Sequence, residues 1–404
     1  MRFAPTDVGF IADPYERYAE LRQNAPVLHD EATDHWLISR YEDVDALLRD
    51  RRFGRTYLHM ATHREMDRPA PPEWHAPFWD LINAGILDME PPDHTRVRKL
   101  VAKAFTPKFL EALRPRIQAI LDDLLDQIAG AGEVDMLPTL AEPLPVTVIA
   151  EMLGVPAADR HLLRPWSGDI VKMYELNPPV SSQQDAVRAS IEFSEYLRGL
   201  ARERRRHPGE DLISGLVHVI DEGETLTEDE LVGTCVLLLN AGHEATVNST
   251  LLGWWALFRH PDRLKELRAD LSLIPSAVEE LLRFQTPLPM FERWVLEPFE
   301  LHGVRIPEGA ELGLLFDSAN HDPSVFDRPE ELRLDRKPNP HLTFGAGIHF
   351  CLGAPLGRME LQLSFRALLE RFPELELVEE PRFKPNYVIR GLEGLRVRTG
   401  EGAA

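Results

Sequence analysis

The residues best equipped for chemistry lie in one run, Phe344-Gly345-Ala346-Gly347-Ile348-His349-Phe350-Cys351-Leu352-Gly353, ahead of a helix-forming stretch from Leu356 to Phe372. A cysteine thiolate that is to hold a metal seated in a flat macrocycle needs close backbone approach, a lowered pKa and shelter from water. Gly345, Gly347 and Gly353 let the backbone turn tightly where side chains would collide with such a group. Cys351 precedes a predicted helix, whose unpaired N–H groups and positive dipole end favour the anionic sulfur. Phe344 can shield one side, and His349 can donate to a carboxylate at the macrocycle edge. Taken singly, a cysteine in a turn before a helix is a buried structural residue. The flanking pattern is what separates the two readings.

That pattern, Phe-Gly-x-Gly-x-His-x-Cys-x-Gly, resembles the haem-ligand loop of the cytochrome P-450 superfamily, and the whole ten-residue pattern is intact. The resemblance implies haem b with Cys351 as axial thiolate, a ligand that pushes electron density toward O–O cleavage. Two other segments resemble the same family. Within a long predicted helix, Glu228 to about Arg259, the run Ala241-Gly242-His243-Glu244-Ala245 is similar to the oxygen-activating motif Ala-Gly-x-(Asp or Glu)-Thr. Ala245 stands where threonine is usual, and a methyl group cannot donate a hydrogen bond. Thr246 is turned about 100° away along a helix. Proton delivery is therefore expected to depend on Glu244 with ordered water, a substrate hydroxyl, or both. A carboxylate and a glycine in the middle of an apolar helix cost stability without a compensating role, the alternative being a helix kink with a solvated glutamate. Glu280-Leu281-Leu282-Arg283 matches the family's Glu-x-x-Arg pair, a structural lock whose side chains meet on one helical face.

The remaining site candidates follow from the resemblance and the local pattern together. His94 and Arg98, four apart on a helix starting near Pro91-Pro92, share one face. With Arg293 and His349 they are expected to bind the haem propionates. An irregular, proline-interrupted segment from Arg51 to Asp88 reads as a binding loop, in which Trp74, Phe78, Trp79, Ile82 and Ile86 either line a pocket or anchor the loop. Leu238 and Ala241 on the long helix, Leu288-Pro289-Met290 in the extended stretch after the Glu-x-x-Arg helix, and Val388-Ile389 near the carboxyl end complete the expected substrate contacts. All are apolar, so the substrate is expected to be an apolar organic molecule of moderate size.

These elements need a scaffold. The 404 residues suffice for a large core, and the fold implied is a single domain over 1–404, mainly α with a smaller β-rich portion, the cytochrome P-450 fold. Helices are predicted at Pro14–Asn24, Glu42–Asp50, Thr106–Ala129, Pro138–Leu153, Ala157–Glu175 and Gln183–Arg206. The last two are separated by a break at Asn177–Ser182. Val27–Arg40 reads as a hairpin, and Thr227 with Glu230 as a capping box that starts the long helix. Strands are predicted within Val295–Phe316, at Glu376–Val378 and at Leu395–Arg398. A net charge of -21 argues against nucleic-acid binding. Two cysteines in unrelated contexts, no leader-like amino terminus and no long apolar run point to a cytoplasmic protein without a membrane anchor. The resemblance implies electrons from NAD(P)H through an external ferredoxin or flavodoxin and its reductase, with one atom of O2 entering the substrate. Arg96, Lys99, Lys103, Arg358 and Arg366 are candidates for a basic docking face or for an ordinary solvated one. A peroxide-driven hydroxylase, an isomerase, or a non-enzymatic haem or gas-binding protein are the alternatives.

Overall fold

The computed structural model describes residues 3–175 and 178–400. The chain forms two compact units, one comprising the chain up to Phe53, Ile117–Leu144 and everything from Glu244 onward, the other Gly54–Arg116 and Pro145–His243. The β structure belongs to the first. Its main sheet runs in the order Val27–Asp30, His35–Ile38, Glu311–Leu314, Phe291–Val295, with the two-residue strand Phe53–Gly54 at its edge, where the chain leaves this unit. The expected hairpin forms the first pair. His35–Ile38 then runs parallel to Glu311–Leu314, a pairing between residues nearly 300 apart in sequence that no local pattern announces. Leu312, Leu314, Ile38, Val295 and Phe53 bury one continuous core, which also takes up Leu342 and Ala346. A smaller sheet joins Glu133–Asp135, Arg396–Arg398 and Glu376–Leu377.

The helix Ile274–Phe284 is the anchor of this unit. Glu280, fully buried, accepts from Arg283 Nε and Nη2 at 2.8 Å and from Arg336 Nε at 3.0 Å. It also takes the backbone N–H of Arg333 at 3.0 Å and the Asn339 amide at 3.2 Å. Arg283 passes its remaining donor to the carbonyls of Asn320 and Pro329. The expected i, i+3 pair is thus one part of a five-donor cluster that fastens the irregular stretch 320–340 to the helix. Asn320 extends it: its amide bonds Thr286 and Thr343, and its carbonyl oxygen accepts from Leu342 N at 2.7 Å.

In the second unit, the helix Arg160–Val171 packs on Val180–Arg206 through Trp166 stacked on Phe193 at 5.2 Å. Asn177, in the expected break, lies outside the described residues; the second helix begins right after Pro178-Pro179, three residues earlier than its predicted start. The segment 51–88 is more ordered than expected. It contains the helix Ala76–Asn83, because Pro77 sits in the first turn, where its fixed φ and missing N–H suit a helix start instead of breaking one.

The long helix runs from Glu228 to Arg259, passing from the second unit into the first. Its capping box is formed: Thr227 N donates to Glu230 at 2.8 Å, and Glu230 N to Thr227 Oγ1 at 3.2 Å. Among the described residues no helix is long and apolar enough to cross a membrane. The five cations named as candidates for a docking face are all ion-paired. Arg96 is paired with Glu230, Lys99 and Lys103 both with Asp221, Arg358 with Glu279 and Arg366 with Glu370. Each cation is answered by a nearby carboxylate, as expected for a chain with an excess of acid.

One ionisable group carries a stability consequence. Glu360, in the helix Ala354–Arg371, is buried, and burial alone pushes its carboxyl up to about 8. Above pH 4.5 the unfolded chain has lost this proton while the folded chain keeps it, so raising the pH to about 8 favours unfolding, and the penalty is complete above that. Glu360→Gln is expected to match the parent near pH 4 and to gain on it progressively up to pH 8, by about 4–5 kcal/mol. Chemical denaturation at several pH values measures this; parallel stability profiles for the two proteins would show that Glu360 is ionised when folded.

Candidate functional site

The cysteine loop is a closed turn. Cys351 N donates to the carbonyl of Phe344 at 3.0 Å, and Gly345 N to that of Leu342 at 2.8 Å, so ten residues fold back on themselves. Gly345 and Gly347 have φ of 68° and 70°, in the left-handed region that glycine alone adopts at little cost. At Gly347 a Cβ would lie 2.2 Å from the carbonyl oxygen of Leu48, so the glycine is also demanded by the helix Tyr41–Arg49 beneath it. At Gly345 a Cβ would meet nothing within 4 Å: the loop has open space on that side. Cys351 is half-buried and in no disulfide. Cys235 is the opposite case, wholly buried, with its thiol pushed up to about 12 by loss of water, and is unsuited to act as a ligand. The helix after the loop begins at Ala354, so a Leu352-Gly353 turn separates Cys351 from its first residue. His349 ends a single 3-10 turn, Gly347–His349, half-buried.

A brace that sequence reasoning missed holds the loop. Glu279, next to Glu280, accepts from Arg358 at 2.7 and 2.8 Å and meets His341 Nε2 at 3.1 Å. Burial alone would raise its carboxyl, but the hydrogen bonds from His341 and Arg358 outweigh that and hold it down at about 2. Arg358, so fixed, lies 4.3 Å from the centre of the Phe344 ring. Its role is to hold Phe344 in place, not to offer free charge at the surface.

On the long helix, residues 231–236 and 246–252 are buried throughout. Between them one stripe is uncovered: Leu238, Gly242 and Ala245 are half-buried and Ala241 is exposed, at positions i, i+4, i+7 and i+3. Gly242 is shaped by its neighbour, since a Cβ there would fall 2.3 Å from Ile149 Cδ1. Glu244 is half-buried. Thr246 is buried off the stripe, its carbonyl accepting from Thr250 Oγ1, so it does not replace the hydroxyl missing at Ala245.

The other candidates divide between the units. In the second, His94 is buried and Arg98 half-buried, one turn apart on the helix Asp93–Ala104. Ile82 and Ile86 are buried beside the long helix, where a Cβ on Gly233 would lie 2.7 Å from the Ala84 carbonyl carbon and 2.8 Å from Gly85 N. In the first, Arg293 is buried on its strand, donating to the Glu292 carbonyl at 2.8 Å and lying over the Phe291 ring. Val388 and Ile389 are half-buried in a turn tied to the 287–289 stretch by Arg390 N donating to the Pro287 carbonyl at 2.9 Å. The same turn abuts the long helix so closely that a Cβ on Gly391 would lie 1.9 Å from Asn248 Oδ1. Arg390, fully buried, fastens it to the carbonyls of Ile11 and Ala12 and to Gln285. Leu288 is half-exposed and Pro289 buried. Met290 departs from the expectation: almost fully buried, it lays its sulfur over Gly313 of the main sheet, 2.8 Å from where a Cβ would stand. Of the residues sequence reasoning missed, Glu279 had one visible signal, its place beside the Glu-x-x-Arg motif. Asn320, Ile149 and Arg390 act through partners remote in sequence and had none.

A half-buried thiol in no disulfide and open space over Gly345 fit a thiolate-ligated haem. The Cytochrome P450 family model matches residues 63–389. Cytochrome P450 monooxygenase PikC of Streptomyces venezuelae is 41% identical over 403 residues, covering 97% of this chain and 92% of the relative. Polyketide biosynthesis cytochrome P450 PksS of Bacillus subtilis is 38% identical over 407 residues, covering 98% of both. Among solved structures, P450BioI in complex with acyl carrier protein ligated to hexadec-9Z-enoic acid superposes with a TM-score of 0.91 at 34% identity, over 98% of this chain and 100% of that one. Motif, loop geometry and full-length likeness agree, and the chain belongs to the cytochrome P450 family, oxidoreductases that bind haem b.

Proposed function

We propose that this P450 is a monooxygenase that places one oxygen atom from dioxygen into an apolar organic molecule of polyketide or long-acyl type. Its electrons come from NAD(P)H through a separate ferredoxin or flavodoxin and reductase in the cytoplasm. The observation that carries the reading is the half-exposed Cys351 thiol in its closed glycine loop. Thiolate-ligated haem b supplies the activation of dioxygen. Within the protein, Cys351 is the iron ligand, Phe344 and the Glu279–Arg358 brace keep its loop in place, and Gly345 and Gly353 leave room for the macrocycle. His94, Arg98, Arg293 and His349 bind the propionates, whose charge compensates the burial of these cations. Leu238, Ala241 and Ala245, with Ile82, Ile86, Leu288, Pro289, Val388 and Ile389, orient the substrate by apolar contact. The relatives support the substrate class, one being assigned to polyketide biosynthesis and another holding a fatty acyl chain on its carrier protein. That neither cysteine is in a disulfide supports a reducing compartment.

Glu244 is the proton carrier. The helix offers no hydroxyl on the open stripe, so the proton passes from Glu244 to ordered water or to a substrate hydroxyl. A peroxide-driven reaction is the second reading, favoured by this same feature, because peroxide brings its own protons. Labelled dioxygen with a reconstituted electron chain separates the two: label in the product supports the monooxygenase, and label absent while peroxide sustains turnover supports the alternative.

Four variants probe the assignment. Cys351→Ser is expected to abolish turnover and the red-shifted Soret band of the reduced, carbon monoxide-bound protein; retention of that band would mean another ligand. Glu279→Gln is expected to leave initial turnover near the parent's while hastening decay of that band on warming, and equal decay would remove the brace from the account. Glu244→Gln is expected to lower product formed per NAD(P)H by about 10²-fold, with Ala245→Thr raising it. Unchanged coupling in both would show that protons take a route independent of this helix.

A further inference from the structure

The main sheet carries a second constellation that the reaction does not use. His35, Glu311 and Glu292 sit on three adjacent strands, His35–Ile38, Glu311–Leu314 and Phe291–Val295. His35 is registered opposite Glu311, Glu311 is opposite Trp294, and Glu292 lies two residues before Trp294, on the same face. His35 is 5% exposed. Its Nδ1 lies 2.7 Å from the carbonyl oxygen of Thr33, which can only accept, so Nδ1 carries a hydrogen and, in the neutral imidazole, Nε2 is the atom that can bind an ion. Nε2 is buried without a hydrogen bond. It faces Glu292 Oε1 at 3.7 Å and Glu311 Oε2 at 3.8 Å, too far for a hydrogen bond to either.

These separations match another geometry. The three potential donor atoms all lie within 4.8 Å of one another. Around a tetrahedral ion with bonds of about 2.0–2.2 Å, neighbouring donors stand roughly 3.3–3.5 Å apart, so the two His35–carboxylate separations need to contract by a few tenths of an ångström and the two carboxylates to close by about an ångström through side-chain rotation. The backbone bond at Nδ1 is the outer-shell contact that orients metal-binding histidines. Both glutamates are part-exposed, at 30% and 20%, so an ion and a completing water can enter from solvent. We propose that His35, Glu292 and Glu311 form a divalent transition-metal site, with zinc as the favoured ion, that staples the three central strands of the sheet. One imidazole with two carboxylates suits zinc and not magnesium, which prefers oxygen donors. Arg293, next to Glu292, points to the other face of its strand, so the staple steadies that strand without touching the haem side.

The test uses the haem-loaded, chelator-treated full-length protein, so that Cys351 is not available as a competing ligand. Isothermal titration with zinc chloride is expected to give one site per chain at micromolar affinity or tighter, with a rise in melting temperature and no response to magnesium. His35→Gln and Glu311→Gln are each expected to weaken zinc binding at least about tenfold while leaving the Soret band of the carbon monoxide complex unchanged. The second variant guards against the first failing to fold. Absence of stoichiometric zinc binding to the parent, or binding that neither substitution weakens, overturns the proposal and leaves a histidine ion-paired with two glutamates.

Discussion

Everything near the cysteine loop depends on one carboxylate that has given up water entirely. Glu280 has no exposed surface, and a charge in that position is tolerable only when its oxygens are fully answered. Five donors do so, from Arg283, Arg333, Arg336 and Asn339. Because the donors come from both the helix and the irregular stretch after residue 320, satisfying the charge and fixing the path of the chain are one event. Loss of any partner would leave the rest buried and uncompensated, which for such clusters costs about 3–5 kcal/mol. Glu279, the residue before it, repeats the device with His341 and Arg358 and carries it to Phe344. A rigid platform for a thiolate is thereby built from ion pairs, without burying a continuous apolar surface where a flat prosthetic group must lie.

The long helix solves the opposite problem. It is apolar enough to be buried along most of its length, yet it must leave one stripe uncovered. Small residues achieve this: Ala241 and Ala245 reach out no further than a methyl group, and Gly242 yields its space to Ile149. The replacement of threonine at 245 belongs to the same economy of side chains, and it moves the burden of proton handling to Glu244 and to whatever occupies the stripe. The main sheet supplies stiffness, and the proposed ion at His35, Glu292 and Glu311 would add to it where three strands of very different sequence position meet.

Cationic residues needed the structure to be read correctly. Arg96, Lys99, Lys103, Arg358 and Arg366 look alike in a sequence, since a positive charge announces itself but its partner does not. Arg358 turned out to hold Phe344, and the two lysines share Asp221. Met290 misled for a related reason: an apolar residue in an extended stretch can face a substrate or a sheet, and only Gly313, more than twenty residues later, made the second choice available. Pro77 misled through position, since proline begins helices as readily as it ends them.

The linear order of residues by itself determined the cysteine loop, the capped start of the long helix, the Ala245 departure and the Glu280–Arg283 pair. These are local: their residues lie within about ten positions of one another, where backbone geometry and helical spacing alone dictate who meets whom. Only the tertiary structure decided which carboxylate answers which arginine, that the 388–391 turn abuts Asn248, that Gly347 must admit the carbonyl of Leu48, and that His35 faces two glutamates from distant strands. Such contacts join segments by packing, and their energies depend on burial and on partners that no stretch of chain contains within itself.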